Sequence, residues 1–235
     1  DSTVSTYSSS DTVKWRVLSV DKDSGKVELI AASNLSKLYL YGKEGYINSE
    51  NILNDIGAIY GKGKGAVGGR SVNIGDIEKY SSYDPYTYNS YKNYEETITY
   101  TSETFVKGEG VTGGVEDTSD TRLVNASSSN PVTVTQTFYL CFGDLSNYFE
   151  NKLVYNVLLN RSYFWLASRC VDLQSSGCCF LVRLAGSNLV QGEKLFYSNG
   201  SARSTGLGVV PVVSLESDIP VDGKDTSGAW KLKIE

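Results

Sequence analysis

Bond chemistry in this chain would have to come from four cysteines and a scatter of carboxylates, because its 235 residues include no histidine. That absence removes Ser-His-Asp and Cys-His nucleophilic sites, every His-ligated metal centre and the commonest general base near neutral pH. Two carboxylates flanking a glycosidic bond can hydrolyse it, and Asp172 with Glu193, or Glu95 with Glu96, are the pairs on offer. Adjacent Glu95 and Glu96 read as a solvated pair, and the spacing sets no separation for the other. Cys141, Cys170, Cys178 and Cys179 are an even set confined to the C-terminal half. They suit disulfides in an oxidising compartment better than the spaced ligand pairs of a metal site. Cys170 and Cys178 bracket a short polar turn and are expected to staple it, buried reduced thiols being the other reading. The expectation is a protein that is not an enzyme and holds neither cofactor nor metal.

Charge narrows the partners. The net charge is −5 and acidic and basic residues are interspersed, with no Lys/Arg block, so nucleic acid is not an expected partner. The GKGKG run at 61–65 has no strand just before it and no helix opening on Lys-Ser/Thr after it, which excludes a phosphate-binding loop. No window approaches the ~18 apolar residues of a membrane span. The chain begins at Asp1 with neither a basic nor an apolar leader region. A leader, anchor or tag is expected to have preceded Asp1, and any membrane attachment to have resided there.

The elements that would position these groups follow from periodicity. Residues 1–12 are Ser/Thr-rich and read as a flexible linker, with a single domain over 13–235. Val13, Trp15 and Val17 alternate, a turn follows at 21–25, and Val27, Leu29 and Ala31 alternate again, which is a hairpin. After an extended run at 38–40, the spacing of Ile52, Leu53, Ile56, Ile59 and Tyr60 predicts a helix capped by Ser49 and closed by Gly61. Five glycines in 61–69 predict a mobile loop. A second helix is predicted over 73–80 with Asn73 as cap, and a third over 151–159. Seven tyrosines lie between 80 and 100, at 80, 83, 86, 88, 91, 94 and 100. They open a Tyr/Gly/Ser-rich insertion at 81–131, whose rings either make contacts as in an antibody paratope or pack on the domain. Strands are expected after 132, then at 163–168, 179–184, 188–190, 194–197 and 209–215. A last strand at 230–234 is expected to pair with the edge of the N-terminal hairpin.

FWLASR (164–169), CFLVR (179–183), LFYSNG (195–200) and GVVPVVSLESDI (208–219), preceded by WRVLSVD (15–21), ILNDI (52–56) and RSVNIGDIEKY (70–80), form a set. As a set they resemble surface proteins of Gram-positive gut bacteria and their prophages, often pilin-like at their N-termini. That group is similar to the C-type lectin fold of formylglycine-generating enzymes and of the variable proteins of diversity-generating retroelements. The resemblance implies an α+β, C-type-lectin-like fold with paired N- and C-terminal strands, two or three short helices and a small, mostly antiparallel sheet presenting a binding face. It also implies a mutable zone near 171–209, in which Phe180, Val182, Arg183, Leu195, Tyr197 and Gly200 are scaffold. The changeable, ligand-contacting positions would be Asp172, Leu173, Gln174, Cys179, Leu181, Leu184, Asn188, Val190, Glu193, Ala202, Ser204 and Leu207. Alternation puts Phe180, Val182 and Leu184 on one face, so Leu181 is expected to be exposed unless both faces are covered.

The chain departs from two relatives. It has no Glu-Pro-Asn, Gln-Pro-Asp or Trp-Asn-Asp tripeptide of calcium-dependent sugar binders. Where formylglycine-generating enzymes carry a reactive Cys near Gly-Phe-Arg, it reads Gly208-Val209-Val210-Pro211. The expected function is therefore a ligand-binding domain, an adhesin or receptor-binding module at a cell surface or virion. Its partner would be a protein or glycan on a host, bacterial or phage surface. The alternative is a structural pilin or fibre subunit.

Overall fold

The computed structural model describes residues 7–8, 12–21, 23–82, 94–100, 127–138, 148–174, 177–197, 201–216, 221–224 and 230–232. For 78, 94–98, 100, 132, 134–138, 170–174, 177–179, 221–224 and 230–232 the description is of the backbone alone. The domain is mixed α/β, with a few helices and small antiparallel sheets.

The expected hairpin forms from β1 (Trp15–Val20) and β2 (Val27–Ala31), its turn held by the Asp21 carboxylate accepting the N–H groups of Asp23 and Ser24. Upstream, Tyr7 is buried and its hydroxyl donates to the Ser36 carbonyl. Tyr7 is thus a buried residue within the stretch read as a linker. After β3 (Leu38–Tyr41) the chain enters α1 (Gly42–Tyr60) directly, so the helix begins well before the expected Ser49. Ser49 is buried inside it, its hydroxyl donating to the Tyr46 carbonyl. Gly42 and Gly45 lower the intrinsic helix propensity of this first part. Tertiary contact overrides that weak propensity, because Gly45 lies against the Leu40 backbone, 3.2 Å from where a Cβ would sit.

The predicted glycine loop is shorter than expected, since Gly68 and Gly69 lie within β4 (Ala66–Ser71). Next comes α2 (Ile74–Tyr80), where Asn73 and Asp76 form the reciprocal capping box that satisfies two backbone donors. The excursion after it rests on a ribbon of β5 (Tyr94–Tyr100) and β6 (Val132–Phe138). Tyr83, Tyr86, Tyr88, Tyr91 and most of 107–131 lie outside the described residues. The third helix forms where expected as α3 (Lys152–Leu158), with the Asn151 side chain capping it from just outside. The remaining strands are β7 (Phe164–Gln174), β8 (Gly177–Gly186), β9 (Leu189–Tyr197), β10 (Ser204–Leu207), β11 (Pro211–Leu215), β12 (Val221–Lys224) and β13 (Trp230–Leu232).

The strand order β1-β2-β11-β4 makes one sheet and β7-β8-β9 another, with ribbons β10-β3 and β12-β13. The terminal strand therefore pairs with β12 and not with the N-terminal hairpin; the partner of β2 is β11. The reason is burial: Val212 and Val213 are both buried, and a strand apolar on both faces gains most from a central place between two neighbours. Helix α1 lies against both larger sheets, packing on β4 and β11 as well as on β7 and β9. Its contact with β4 is backbone on backbone. A Cβ on Gly57 would sit 2.1 Å from the Arg70 carbonyl carbon, and one on Gly69 would sit 2.3 Å from the Gly57 oxygen.

On the far side of β4, Arg70 makes a two-pronged contact with Asp76, 2.7 Å on each arm, and reaches Glu28 at 3.2 Å. One guanidinium thus ties β4 to α2 and β2. Burial pushes the Glu28 carboxyl upward, but Arg70 beside it and the Ser19 hydroxyl outweigh this and hold it below the usual carboxylate range.

Two predictions follow from these contacts. Gly57→Ala raises helix propensity by roughly 1 kcal/mol, yet the clash should reverse the sign. Denaturant unfolding is expected to show a net loss of about 2 kcal/mol or more, and a stabilised variant would refute the close approach. Because the Glu28 carboxyl is depressed in the folded state, its contribution is present above its unfolded value of 4.5 and lost as pH falls through the folded value. The stability gap between wild type and Glu28→Gln is therefore expected to be larger at neutral pH than in acid.

Candidate functional site

The face that combines exposure with recognition chemistry is the β10–β3 ribbon. At the end of β9 the chain reverses, with the Tyr197 N–H donating to the Ser201 carbonyl and the Arg203 N–H to the Leu195 carbonyl. It then leaves β9 and pairs with β3 in the register Ser204↔Tyr41, Thr205↔Leu40, Gly206↔Tyr39 and Leu207↔Leu38. Strand alternation does the rest. Leu38 and Leu40 are buried in the core, while Tyr39 and Tyr41 point outward with 53% and 64% of their surface exposed.

Gly206 determines how Tyr39 lies. A Cβ there would be 2.4, 2.6 and 2.7 Å from the Tyr39 Cε1, Cζ and Cδ1. Near-equal distances to three adjacent ring atoms place that point over the ring's face, since an edge-on approach would separate them more widely. The ring thus lies flat on the glycine and turns its other face to solvent. Nearby, Arg203 sits over the Tyr197 ring at 5.3 Å and Lys194 at 6.0 Å, and the Thr205 hydroxyl donates to the Glu193 carboxylate.

The expected ligand-contacting residues fall in three places. Asp172, Leu173, Gln174 and Cys179 lie at the β7–β8 hairpin end, paired Asp172↔Cys179, Leu173↔Cys178 and Gln174↔Gly177, their side chains outside the described residues. Asn188 sits in the β8–β9 turn at φ 70°, where its side-chain oxygen accepts the Tyr155 hydroxyl, a structural role. Glu193, Ala202, Ser204 and Leu207 belong to β9, β10 and their connection; Ala202 and Ser204 are exposed, and Leu207 packs partly into the core.

Leu181, Leu184 and Val190 correct the expectation. They retain only 5%, 2% and 1% of their exposure, because β8 is the middle strand of its sheet and both faces are covered. Phe180, Val182 and Leu184 face the α1 core, and Ala185 joins a second cluster with residues of α2 and α3. Arg183, expected to belong to the scaffold, is buried in the same strand.

Tyr39 and Tyr41 were missed by sequence reasoning, although the LYLY alternation at 38–41 was the signal for two outward aromatic rings. The carboxylate pair is not assembled. Glu193 is opposite Val182 and Asp172 opposite Cys179, so three rows along β8, and the strand itself, separate their backbones. The other pair, Glu95 and Glu96, faces Thr137 and Gln136 on the β5–β6 backbone, with side chains outside the described residues. Cys170 pairs with Leu181 and Cys178 with Leu173, again three rows apart on β8. The cysteine side chains, and with them the expected bridge, lie outside the described residues.

Away from the ribbon, burial and the nearby Arg16 push the Arg161 guanidinium down to about 10, while its Nη2 donates to the Ala31 carbonyl. No cluster of three or more metal-ligating side chains occurs among the described residues, and no described helix is long and apolar enough to cross a membrane.

Fold and face together define a mixed α/β protein of small antiparallel sheets with an exposed aromatic ribbon. No family model, no curated protein and no solved structure matches the chain. The burial pattern makes its own prediction for natural variants of the gene. Amplicon sequencing across one population is expected to find polar and charged replacements at Ala202 and Ser204 but none at Leu181, Leu184 or Val190. Charged residues tolerated at those three positions would refute their place in the core.

Proposed function

We propose that this chain is an extracellular binding domain with a C-type-lectin-like fold, displayed on a cell surface or virion, that holds a protein or glycan noncovalently and makes or breaks no bond. The observation that carries this reading is the side-by-side exposure of Tyr39 and Tyr41, held outward by the burial of Leu38 and Leu40, next to the exposed Ala202 and Ser204. Tyrosine supplies wide contact area for few lost rotors, which is why it recurs at recognition surfaces. Side chains seated on paired strands hold their geometry better than side chains on loops. The fold reading is supported by the order of hairpin, two helices and β-rich end, and by the return of β11 beside β2.

A labelled sample of the protein, applied to cultured epithelial cells and to Gram-positive bacteria and read by flow cytometry, tests this. The double variant Tyr39→Ala/Tyr41→Ala is expected to lose about tenfold or more in half-saturating concentration, the scale of truncating an aromatic anchor. Circular dichroism of the double variant, expected to be unchanged because both rings are more than half exposed, controls for folding. Unchanged binding by a folded double variant would remove the ribbon from recognition.

A further inference from the structure

The geometry points to an extended segment of a partner protein, added as a further strand along the outer edge of β3, an inference that rests on reading the ribbon as a ligand-binding face. The phase of the backbone hydrogen bonds carries it. The Gly42 N–H donates to the Arg203 carbonyl, so Gly42 and Arg203 form a hydrogen-bonded pair. From there along an antiparallel ladder, bonded and non-bonded pairs alternate. Leu40↔Thr205 and Leu38↔Leu207 are bonded pairs, while Tyr41↔Ser204 and Tyr39↔Gly206 are non-bonded ones. A residue of a non-bonded pair turns its N–H and C=O away from the partner strand. The Tyr39 N–H, the Tyr39 C=O and the Tyr41 N–H therefore point out along the far edge of β3. Among the described residues no strand pairs with that edge and no hydrogen bond meets those three groups. On its other side β10 is met by the end of β9, through the Arg203 N–H to the Leu195 carbonyl and the Phe196↔Ala202 bridge.

Sheet edges are normally blunted, because unmet backbone groups recruit stray strands. The two larger sheets follow that rule. β1 carries a bulge after Val17 and the exposed Arg16, and β9 a register shift beside Glu193 and Lys194. On β4 the Asn54 side chain takes the Ser71 N–H. On β7 the carbonyls of Gly208 and Val72 take the N–H groups of Trp165 and Ala167. β3 has none of these devices: Leu38–Tyr41 holds no charge and no proline, and its register with β10 runs without a shift. The two residues that offer the free backbone groups are also the two that expose their rings. A strand laid there sets alternate side chains level with Tyr39 and Tyr41, so main-chain bonds supply affinity and the rings select the side chains beside them. A glycan could use the rings but has no main chain to match the edge.

The test is an array of octapeptides, with threonine at alternate positions and every residue type at the others, probed with the whole chain. The tightest binder is then remade as a free peptide in two N-methylated forms, each blocking one alternating set of its N–H groups. Only one set faces β3 in an added strand, so one form is expected to lose about tenfold or more in affinity and the other to keep it. Amide exchange at Tyr39 and Tyr41 is expected to slow in the complex. On the protein side, Tyr39→Pro removes an edge donor and is expected to weaken binding several-fold more than Tyr39→Ala, which removes only the ring. If the proline variant does not fold, the two peptide forms decide alone. Equal effects of the two forms would mean that no edge is read, and an array without a binder would mean that no strand is taken; either overturns the inference. So does self-association of the chain that Tyr39→Ala/Tyr41→Ala abolishes, which would assign the edge to a second copy. If no peptide binds while the double tyrosine variant still loses cell binding, the strand inference fails and the recognition face stands; if cell binding is also unaffected, both fail.

Discussion

Three consecutive carbonyls hold this molecule together. Those of Gly208, Val209 and Val210 accept the N–H groups of Trp165, Leu35 and Val72, so one short buried segment is bonded to three remote stretches of chain. Leaving any one of these carbonyls unmet in the interior would cost about 1–3 kcal/mol, and the segment cannot shift without straining all three. It lies between β10 and β11, which makes it the joint between the exposed ribbon and the core sheet. The Trp165 indole N–H adds a further tie by donating to the Leu38 carbonyl at 2.9 Å. Gly208 itself has no room for a side chain, because a Cβ would fall 2.7 Å from that of Asn34.

With the joint in place, burial is divided unevenly. Helix α1, seated on β4 through Gly57 and Gly69, covers one face of β8 and its neighbours, with Tyr46 set against Phe180 and Phe196. Residues of α2 and α3 belong to the second hydrophobic cluster, which takes in Phe164, Leu166, Ala185 and Val190. The central strand of the C-terminal sheet is left with no solvent face to vary. The proposed recognition face lies on β10 and β3, where alternate residues anchor the ribbon and the others are exposed. Stability and the proposed recognition thus use adjacent residues of the same short strand, Leu40 for one and Tyr41 for the other.

Where the sequence was readable, the deciding interactions were local. Asn73 and Asn151 cap α2 and α3 through their own side chains, and the turn between β1 and β2 is closed by Asp21 within a few residues. The rest depended on neighbours distant in sequence. The start of α1 packs through Gly45 against the Leu40 backbone, and Gly69 of β4 has the helix backbone resting on it. The strands expected at 188–190 and 194–197 are one continuous β9, because β8 offers a ladder along its whole length.

By itself the sequence determined the mixed α/β class, the capped helices, the N-terminal hairpin and the absence of any histidine-based chemistry, since each follows from residue type or from contacts a few positions apart. It also confined the C-terminal candidates to one zone. Only the tertiary structure decided which of them are exposed. Period-two alternation says that Leu181 and Val182 face opposite ways, but not that both faces are covered. Nor could it say that β11 rather than the last strand completes the N-terminal sheet, or that Gly206 lies beneath Tyr39 and turns its ring to solvent. Those outcomes are set by which distant surfaces bury the most apolar area against one another, a quantity that no local pattern encodes.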